Sequence, residues 1–285
     1  MRASGSGVEL LRPSSAAEAT GALGNGSRAL AGGTELVPLM RDGLVRADTL
    51  VDIRDVVPRG VAGTRIGAGT TLAELEVEAQ IPQALREACS QAASPQLRSM
   101  GTVGGNLLQA TRCWYWRLGF DCWLHGGEAC FARDGGAQRE HAFFGNEQCA
   151  SAHPSDIAAA LVALRATLRT TTRELPVAEL YRLPTDDDRN VTTLAPDELI
   201  LEIDVARPEA STYLKAMDRR KWAFPIVGVA AARFGSEVQI ALAGVAPIPW
   251  TLDSSAALEE ATPLPGTAYK VEIARALVRR ALEGI

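Results

Sequence analysis

Four of the five cysteines in this 285-residue sequence lie within one stretch, at Cys113, Cys122, Cys130 and Cys149. Thiolates bind zinc and iron–sulfur clusters, but eight, seven and eighteen residues separate these cysteines, and no C-x-x-C pair occurs. The spacing alone therefore matches neither a zinc ribbon nor a ferredoxin. Two interpretations stay open: the four cysteines form a ligand set, or they are unrelated buried thiols, since free cysteine is a common core residue.

Two glycine pairs next to threonines form the second pattern with chemical meaning. They are LAGGTEL at residues 30–36 and GTVGGN at residues 101–106, each expected between a strand and a helix. Glycine permits positive φ and close approach to the backbone, so successive N–H groups can form a donor nest for phosphate. Two such nests would hold a pyrophosphate between them, although each pair taken alone is also explained as a tight turn. Neither matches G-x-G-x-x-G or a P-loop, which argues against an ordinary dinucleotide fold.

The elements that would position these turns are strands and helices in mixed order. LRPSSAAEATGAL predicts a capped amphipathic helix, SRAL a strand that runs into the first glycine turn, and TLVDI a further strand. Thr71 and Glu74 have the spacing of a capping box that opens a helix. HPSDIAAALVAL predicts an apolar helix with Ser155 or Asp156 as its N-cap.

The second part of the chain begins after a proline-bearing, acidic connector, and we place a domain boundary near residue 175. Beyond it, LILEIDV predicts a strand, and FPIVGVAAARFGSEVQIALAGV predicts two apolar strands joined by a glycine turn. YKVEIARALVRRALEGI predicts a helix. A small antiparallel sheet backed by helices is the simplest assembly of this part.

The composition, 47% hydrophobic and 22% charged, indicates a globular protein of one large or two ordinary domains. The formal net charge of −5 and the lack of long basic runs predict no nucleic-acid partner. The first residues lack the basic flank and apolar core of an export signal, and the alanine-rich run at 157–164 is shorter than the roughly 18 residues of a membrane span. We therefore expect no membrane insertion and a cytoplasmic location. Cys89, alone in ALREACSQAA, is expected to pack as a small hydrophobic residue.

Five segments occur in an order that resembles the flavin-binding subunit of the molybdenum hydroxylases: AGGTELVPLM, GTVGGNLLQ, HPSDIAAALVAL, LAPDELILEIDV and YLKAMDRRKWAFPIVGVAAA. The resemblance spans nearly the whole chain, and the glycine motifs are its most specific parts. It implies an α+β fold, with an FAD-binding domain of the PCMH or vanillyl-alcohol oxidase type at residues 1–175. That domain would comprise subdomains at about 1–55 and 56–175, with a cysteine loop at 110–150. A small C-terminal domain at 176–285 would hold a three-stranded antiparallel sheet and helices.

The resemblance also implies which residues hold FAD. The two glycine turns would wrap the pyrophosphate from two sides, and Asp156 would hold a hydroxyl of the sugar or ribityl chain. Leu201 and Lys215 would line the flavin from the C-terminal domain. Without the resemblance, Asp156 is explained as a helix cap and Lys215 as a solvated lysine. The implied cofactor-binding residues are Leu30, Ala31, Gly32, Gly33, Thr34, Glu35, Leu36, Thr102, Gly104, Gly105, Asn106, Leu108, Asp156, Leu201 and Lys215.

TRCWYWR, the cysteines after it and HPSD resemble the branch of periplasmic-type aldehyde oxidoreductases, whose flavin subunit carries a [4Fe–4S] cluster in an inserted loop. This resemblance implies the four clustered cysteines as the ligands, which suits a cluster held by thiolates alone. The neighbouring tryptophans would shield the cluster or simply pack in the core. The three histidines are expected to be structural rather than ligands.

The implied function is that of an oxidoreductase subunit whose redox centre is the flavin, with no catalytic side chain. Substrate, expected to be an aldehyde, would be oxidised at a molybdopterin centre in a large partner. Electrons would reach FAD through the [2Fe–2S] clusters of a small partner and leave to an external acceptor. Relatives with this cluster are exported with a signal-bearing partner, so the periplasm is the alternative location. Two other functions stay open, a standalone oxidase of the vanillyl-alcohol oxidase type and a non-enzymatic scaffold whose cysteines hold zinc.

Overall fold

The computed structural model describes residues 7–24, 26–135, 138–218 and 222–285. The helices within them are α1 (Ala16–Ala22), α2 (Leu36–Arg41), α3 (Leu72–Glu76), α4 (Gln83–Gln91), α5 (Pro95–Arg98), α6 (Val103–Leu107), α7 (Trp114–Arg117), α8 (Asp156–Ala163) and α9 (Ala268–Glu283). Short 3-10 helices cover Trp123–His125, Val177–Leu180 and Ser255–Glu260. The strands are β1 (Glu9–Leu11), β2 (Ser27–Leu30), β3 (Thr49–Asp52), β4 (Val61–Ala62), β5 (Arg65–Gly67), β6 (Thr167–Thr170), β7 (Glu174–Pro176), β8 (Ile200–Asp204), β9 (Ala210–Asp218), β10 (Trp222–Phe234), β11 (Glu237–Ala243) and β12 (Trp250–Leu252).

The N-terminal subdomain is a parallel three-stranded sheet in the order β1-β3-β2, with α1 against it. Ser15 caps α1, because its hydroxyl accepts a hydrogen bond from the N–H of Glu18 at 3.2 Å. Ala19 and Val51 are fully buried where the helix meets the sheet. Strand β2 ends at Leu30, so the first glycine turn leaves the edge of this sheet.

The second subdomain holds a five-stranded antiparallel sheet in the order β4-β5-β8-β6-β7. Helices α3, α4 and α8 pack together, and every residue of α8 is buried. Helix α4 also contacts β9, and α8 contacts β10 and β11. Thr71 and Glu74 form the predicted capping box, and Ser155 is the N-cap of α8. Strand β8, predicted beyond the boundary near residue 175, lies between β5 and β6, where Ile203 pairs with Ile66 and Leu168. This sheet therefore takes strands from both sides of residue 175. The sequence did not predict this arrangement, because local periodicity does not show which distant strands pair.

The C-terminal sheet is antiparallel with the order β12-β11-β10-β9, and α9 packs on it. The predicted hairpin is β10 and β11, which turn at Gly235 with φ of +61°. Three strands were expected, and β12 adds a short fourth one because the buried side chain of Leu252 extends the same apolar face. Of the described helices, none has the length and hydropathy to cross a bilayer.

The segment around the four cysteines is mostly irregular, with α7 and one 3-10 turn inside it. Its end is anchored in the C-terminal domain, because the N–H groups of Phe143 and Phe144 both donate to the carbonyl of Val245. The Phe144 ring also stacks on Trp250 with 5.0 Å between centroids. The C-terminal domain therefore fixes the position of the cysteine loop.

Candidate functional site

A cavity of about 920 Å³ lies between the two glycine turns, and we name it the main cavity. Its size is at the upper end of the range of about 300–1,000 Å³ that small-molecule and cofactor pockets occupy. Most of the residues implied for FAD line it. They are Ala31, Gly32, Gly33, Thr34, Glu35, Leu36, Thr102, Gly104, Gly105, Asn106, Leu108 and Asp156.

The first glycine turn presents its backbone donors to the main cavity. No residue in the described part of the chain accepts a hydrogen bond from the N–H groups of Gly32, Gly33, Thr34 or Glu35. Gly33 has φ of +70°, a conformation that favours glycine. Buried or half-buried N–H groups need partners, so this turn fits an anionic ligand such as a pyrophosphate.

The second glycine turn differs from the expected donor nest. The N–H groups of its two adjacent glycines are used within the protein: Gly104 donates to the carbonyl of Ala68 at 3.0 Å, and Gly105 to the hydroxyl of Thr102 at 3.1 Å. A side chain at Gly104 would meet Ala68 at 3.0 Å, whereas a Cβ at Gly105 would meet only the Thr102 hydroxyl. The second turn therefore allows a ligand to approach its backbone closely, but it does not offer a row of free N–H donors.

The two turns contact each other, and this contact requires a glycine at position 32. A Cβ at Gly32 would lie 1.8 Å from the carbonyl oxygen of Met100, a separation that no side chain can adopt. Because Met100 directly precedes the second turn, Gly32 allows the two turns to close the same end of the main cavity.

Asp156 lines the main cavity, and residues of the C-terminal domain hydrogen-bond its carboxylate. Its carboxylate accepts a hydrogen bond from Lys215 Nζ at 2.8 Å and another from the hydroxyl of Tyr213. Burial raises the pKa of Asp156, and the hydrogen bonds and charge of Lys215 oppose that effect. A carboxylate offers about four lone-pair sites, so Asp156 keeps capacity for a ligand hydroxyl.

Leu30, Leu201 and Lys215 are not among the described residues that line the main cavity. The side chain of Lys215 is fully buried, and its ammonium donates to Asp156 and to the carbonyls of Gln91 and Ala223. An ammonium has three donors, so none is left for a flavin. Leu201 packs against the small core cluster of the N-terminal subdomain instead.

The main cavity also has polar and aromatic walls that sequence reasoning missed. Four arginines, Phe224 and Glu198 are among its other lining residues, and the arginines are Arg28, Arg54, Arg59 and Arg112. Arg28 makes no ion pair within the described residues. Arg112, Glu198 and Phe224 lie within segments that carry the family resemblance, which is the signal that could have found them.

The four clustered cysteines meet in a second, smaller pocket, which we name the cysteine pocket. Cys113, Cys122, Cys130 and Cys149 all line it, together with aromatic residues that include Trp116 and Trp123. Cys89 is remote from it and fully buried in α4, as predicted for a small core residue. The fold therefore brings together cysteines that are up to 36 residues apart in the chain.

The pKa values of the thiols in the cysteine pocket shift in different directions. A hydrogen bond with Cys149 lowers the pKa of Cys130 to about 6, against the effect of burial, with help from backbone N–H groups. The pKa of Cys149 is raised by the same hydrogen bond and by burial. Burial raises the pKa of Cys113 to about 11. The thiolate form of Cys130 is thus favoured, whereas the thiol forms of Cys149 and Cys113 are favoured.

No group of three or more histidine, cysteine, aspartate or glutamate side chains in the described residues is arranged to hold one metal ion. A single zinc ion needs its four ligands at about 2.0–2.3 Å. The four cysteines therefore share a pocket without closing on one ion, which does not support the zinc scaffold.

Glu35 connects the main cavity to the cysteine loop. Its carboxylate accepts hydrogen bonds from Arg112 Nη2 at 2.6 Å, Arg117 Nη2 at 2.5 Å and the N–H of Ala110 at 3.0 Å. The guanidinium of Arg112 also lies over the Phe224 ring, 4.3 Å from its centroid. A side chain of the first glycine turn thus holds the residues on either side of Cys113.

A third cavity, of about 10 Å³, lies between the other two, and we name it the linking cavity. It shares Arg112 and Phe224 with the main cavity and Cys113 with the cysteine pocket. His141 and His153 complete part of its wall. Burial, with the charge of Lys270, lowers the pKa of His141 to about 4, and burial lowers that of His153 to about 3. Both imidazoles are therefore neutral near pH 7.

The comparison with known proteins agrees with this geometry. The family model described as "FAD binding domain in molybdopterin dehydrogenase" matches residues 6–208, which include both glycine turns and all four cysteines. The chain belongs to this family. Its membership among the FAD-binding domains of molybdopterin dehydrogenases confirms the predicted family, the mixed α and β fold and the role of FAD-binding oxidoreductase subunit.

Individual relatives of this molybdopterin dehydrogenase domain are named as subunits of larger enzymes. The aldehyde oxidoreductase FAD-binding subunit PaoB of Escherichia coli (strain K12) is 34% identical over 249 residues, or 81% of this chain and 78% of that protein. The carbon monoxide dehydrogenase medium chain of Afipia carboxidovorans is 39% identical over 109 residues, 33% of this chain and 37% of that one. These relatives favour the subunit over the standalone oxidase.

A solved carbon monoxide dehydrogenase chain from Hydrogenophaga pseudoflava has the same fold as this FAD-binding chain. The two superpose with a TM-score of 0.69 at 22% identity, over 97% of this chain and 96% of that chain. At this identity the likeness establishes the fold alone.

Proposed function

We propose that this chain is the FAD-binding electron-transfer subunit of a molybdenum-containing aldehyde oxidoreductase, with a [4Fe–4S] cluster held by its four clustered cysteines. One observation carries the proposal: Cys113 of the cysteine pocket directly follows Arg112 of the main cavity. The cluster and the flavin would then be neighbours in one chain. The relative named as an aldehyde oxidoreductase FAD-binding subunit, which matches 81% of this chain, supports the substrate class.

Bound FAD supplies exchange of one or two electrons, which suits a position between iron–sulfur carriers and an external acceptor. This chain's residues bind and orient the cofactor. The free N–H groups of Gly32, Gly33 and Thr34 would take the pyrophosphate oxygens, and Gly105 leaves room for them. Asp156, fixed by Lys215, would accept from a hydroxyl of the sugar or ribityl chain.

The cysteine pocket supplies thiolates, the ligands that iron–sulfur clusters take. In a [4Fe–4S] cluster each cysteine binds a different iron, so the four sulfurs need not converge on one point. The pocket as it stands, about 10 Å³, is smaller than a cluster, so binding requires its side chains to move apart. The backbone of this segment is mostly irregular, so that movement would not break a long helix or a strand. Trp116, Trp123 and Phe131 would keep water from the cluster.

The partners follow from the same proposal. A large subunit with a molybdopterin centre would oxidise the substrate, and a small subunit with [2Fe–2S] clusters would deliver electrons to this chain. The names of the relatives support this assembly, because they are called a FAD-binding subunit and a medium chain. The chain need not supply an acid or base for the aldehyde, because the substrate would be oxidised in the large subunit, and an external acceptor would receive the electrons.

The experiment that tests the proposal is anaerobic purification of the full chain, followed by an absorption spectrum and assays of FAD, iron and sulfide. We expect about one FAD and about four irons and four sulfides per chain. FAD without iron would reject the cluster and keep the flavin subunit. A colourless chain that contains zinc would reject both.

A further inference from the structure

His141 makes a contact that the proposed function does not use. Its Nε2 lies 3.2 Å from the Sγ of Cys113, within hydrogen-bond distance for a sulfur acceptor. The residue is 1% exposed, so the contact is shielded from water. His125, in the same loop, makes no such contact: its Nδ1 lies 2.8 Å from the carbonyl oxygen of Phe120, and its ring stacks on Trp116.

The position of His141 is fixed by a residue of the C-terminal helix. The ammonium of Lys270, which is fully buried, donates to the carbonyl oxygens of His141 at 2.7 Å and Gly244 at 2.5 Å. The N–H of His141 donates to the carbonyl of Gln138 at 2.9 Å. The backbone of His141 is therefore held on both sides, and its ring is aimed at Cys113 by the C-terminal domain.

The chemistry of the two partners determines the direction of this hydrogen bond. A cysteine bound to iron is a thiolate, which accepts hydrogen bonds and has no proton to donate. A neutral imidazole carries one proton, so Nε2 bears it and Nδ1 is left as an acceptor. Consistent with this assignment, no described residue accepts a hydrogen bond from Nδ1 of His141, as a protonated Nδ1 would require.

We infer that His141 is a positioning residue for the proposed cluster, whose Nε2–H hydrogen bond to the Cys113 thiolate raises the reduction potential of that cluster. This inference rests on the proposed function, because it needs the cluster to be present. A donor aimed at a ligand sulfur stabilises the extra negative charge of the reduced form, which makes reduction easier.

Of the four proposed ligands, His141 contacts Cys113, the one that directly follows a residue of the main cavity. Cys113 is the ligand that follows Arg112, and both residues line the linking cavity together with His141. The donor would therefore act on the ligand that also lines the linking cavity, next to the main cavity where FAD would lie.

The test uses the full chain, purified anaerobically, and three variants: His141→Leu, His141→Gln and the matched control His125→Leu. The midpoint potential of the cluster is measured by redox titration followed by electron paramagnetic resonance, with iron and sulfide assays on each protein. We expect a lower potential in His141→Leu, which lacks a donor. His141→Gln, whose amide N–H reaches a similar point, and His125→Leu should keep the wild-type value.

A second measurement does not depend on the folding of the leucine variant. The wild-type chain with ¹⁵N-labelled histidine should show a nitrogen hyperfine coupling to the reduced cluster, and His141→Gln should lack it. An unchanged potential in iron-loaded His141→Leu, or no coupling in the wild-type chain, overturns the inference alone. A wild-type chain without iron overturns the proposed cluster itself and the inference with it.

Discussion

Glu35 of the first glycine turn accepts a hydrogen bond from Arg112, with 2.6 Å between Oε2 and Nη2, across 77 residues of sequence. The same carboxylate binds Arg117, so it is the acidic centre of a three-residue cluster that is about one-fifth exposed. This contact ties the turn that would hold the FAD pyrophosphate to the loop that would hold the iron–sulfur cluster.

Glu35→Gln should destabilise the chain by roughly 2 kcal/mol, because it leaves two largely buried guanidinium groups without an opposing charge. The free energy of unfolding, from urea denaturation, measures this change. The matched control is Glu237→Gln, which removes an exposed carboxylate that pairs with Arg165 and should cost less than about 1 kcal/mol. Equal effects of the two substitutions would show that the Glu35 cluster contributes no more than a surface ion pair.

Gly105→Val should lower the FAD content of the purified chain while the fold is kept. A Cβ at this position would meet only the Thr102 hydroxyl, at 3.0 Å, so the substitution adds volume toward the main cavity rather than into the core. Gly21→Val is the control, since nothing lies within 4 Å of a Cβ at Gly21 and this residue is in α1. The ratio of FAD to protein is the measurement, and full occupancy in Gly105→Val would remove Gly105 from the binding site.

Cys122→Ser should lower the iron and sulfide content and leave most of the FAD, because the cysteine pocket and the main cavity are separate. Cys89→Ala is the matched control: Cys89 is as deeply buried but lies in α4, away from the pocket. Its iron content should equal that of the wild-type chain. Unchanged iron in Cys122→Ser would exclude Cys122 from the ligand set.

Glu198, at the wall of the main cavity, should make the stability of the chain depend on acid pH. Burial alone would raise its pKa, but hydrogen bonds from Arg173, Thr170, Ala195 and Thr172 outweigh burial and hold the pKa at about 2. Because the pKa is lower in the folded chain, the stabilisation is complete above the ordinary value of 4.5 and is lost as pH falls toward 2.

The matching measurement is the free energy of unfolding of the wild-type chain and of Glu198→Gln between pH 3 and pH 6. The wild-type chain should be more stable by roughly 2 kcal/mol near pH 6, and this difference should shrink as the pH falls. A difference that stays constant with pH would show that the carboxylate charge is not what stabilises this site.

Much of the local structure was predictable from the sequence because it depends on near neighbours. The capping box of Thr71 and Glu74, the N-cap at Ser155 and the glycine turn at Gly235 each involve residues within four positions of one another. The motif of glycines and threonines also predicted two of the segments that line the main cavity, since glycine is needed where backbone and ligand meet closely.

Contacts between distant segments depended on the tertiary structure. The sequence contains Lys215, but only the packing of the C-terminal sheet shows that its ammonium is bound to Asp156 and is not available to a flavin. In the same way, β8 belongs to the sheet of the second subdomain because Ile203 is buried between Ile66 and Leu168.

The sequence by itself determined the order of the two glycine motifs and the four clustered cysteines along the chain. The tertiary structure decided which polar groups bind each other and which remain for ligands. Within the protein, Glu35 binds Arg112, Lys215 binds Asp156, and His141 contacts Cys113. The physical reason is that burial makes an unpaired polar group costly, so the partners of each buried group are set by what the fold places around it.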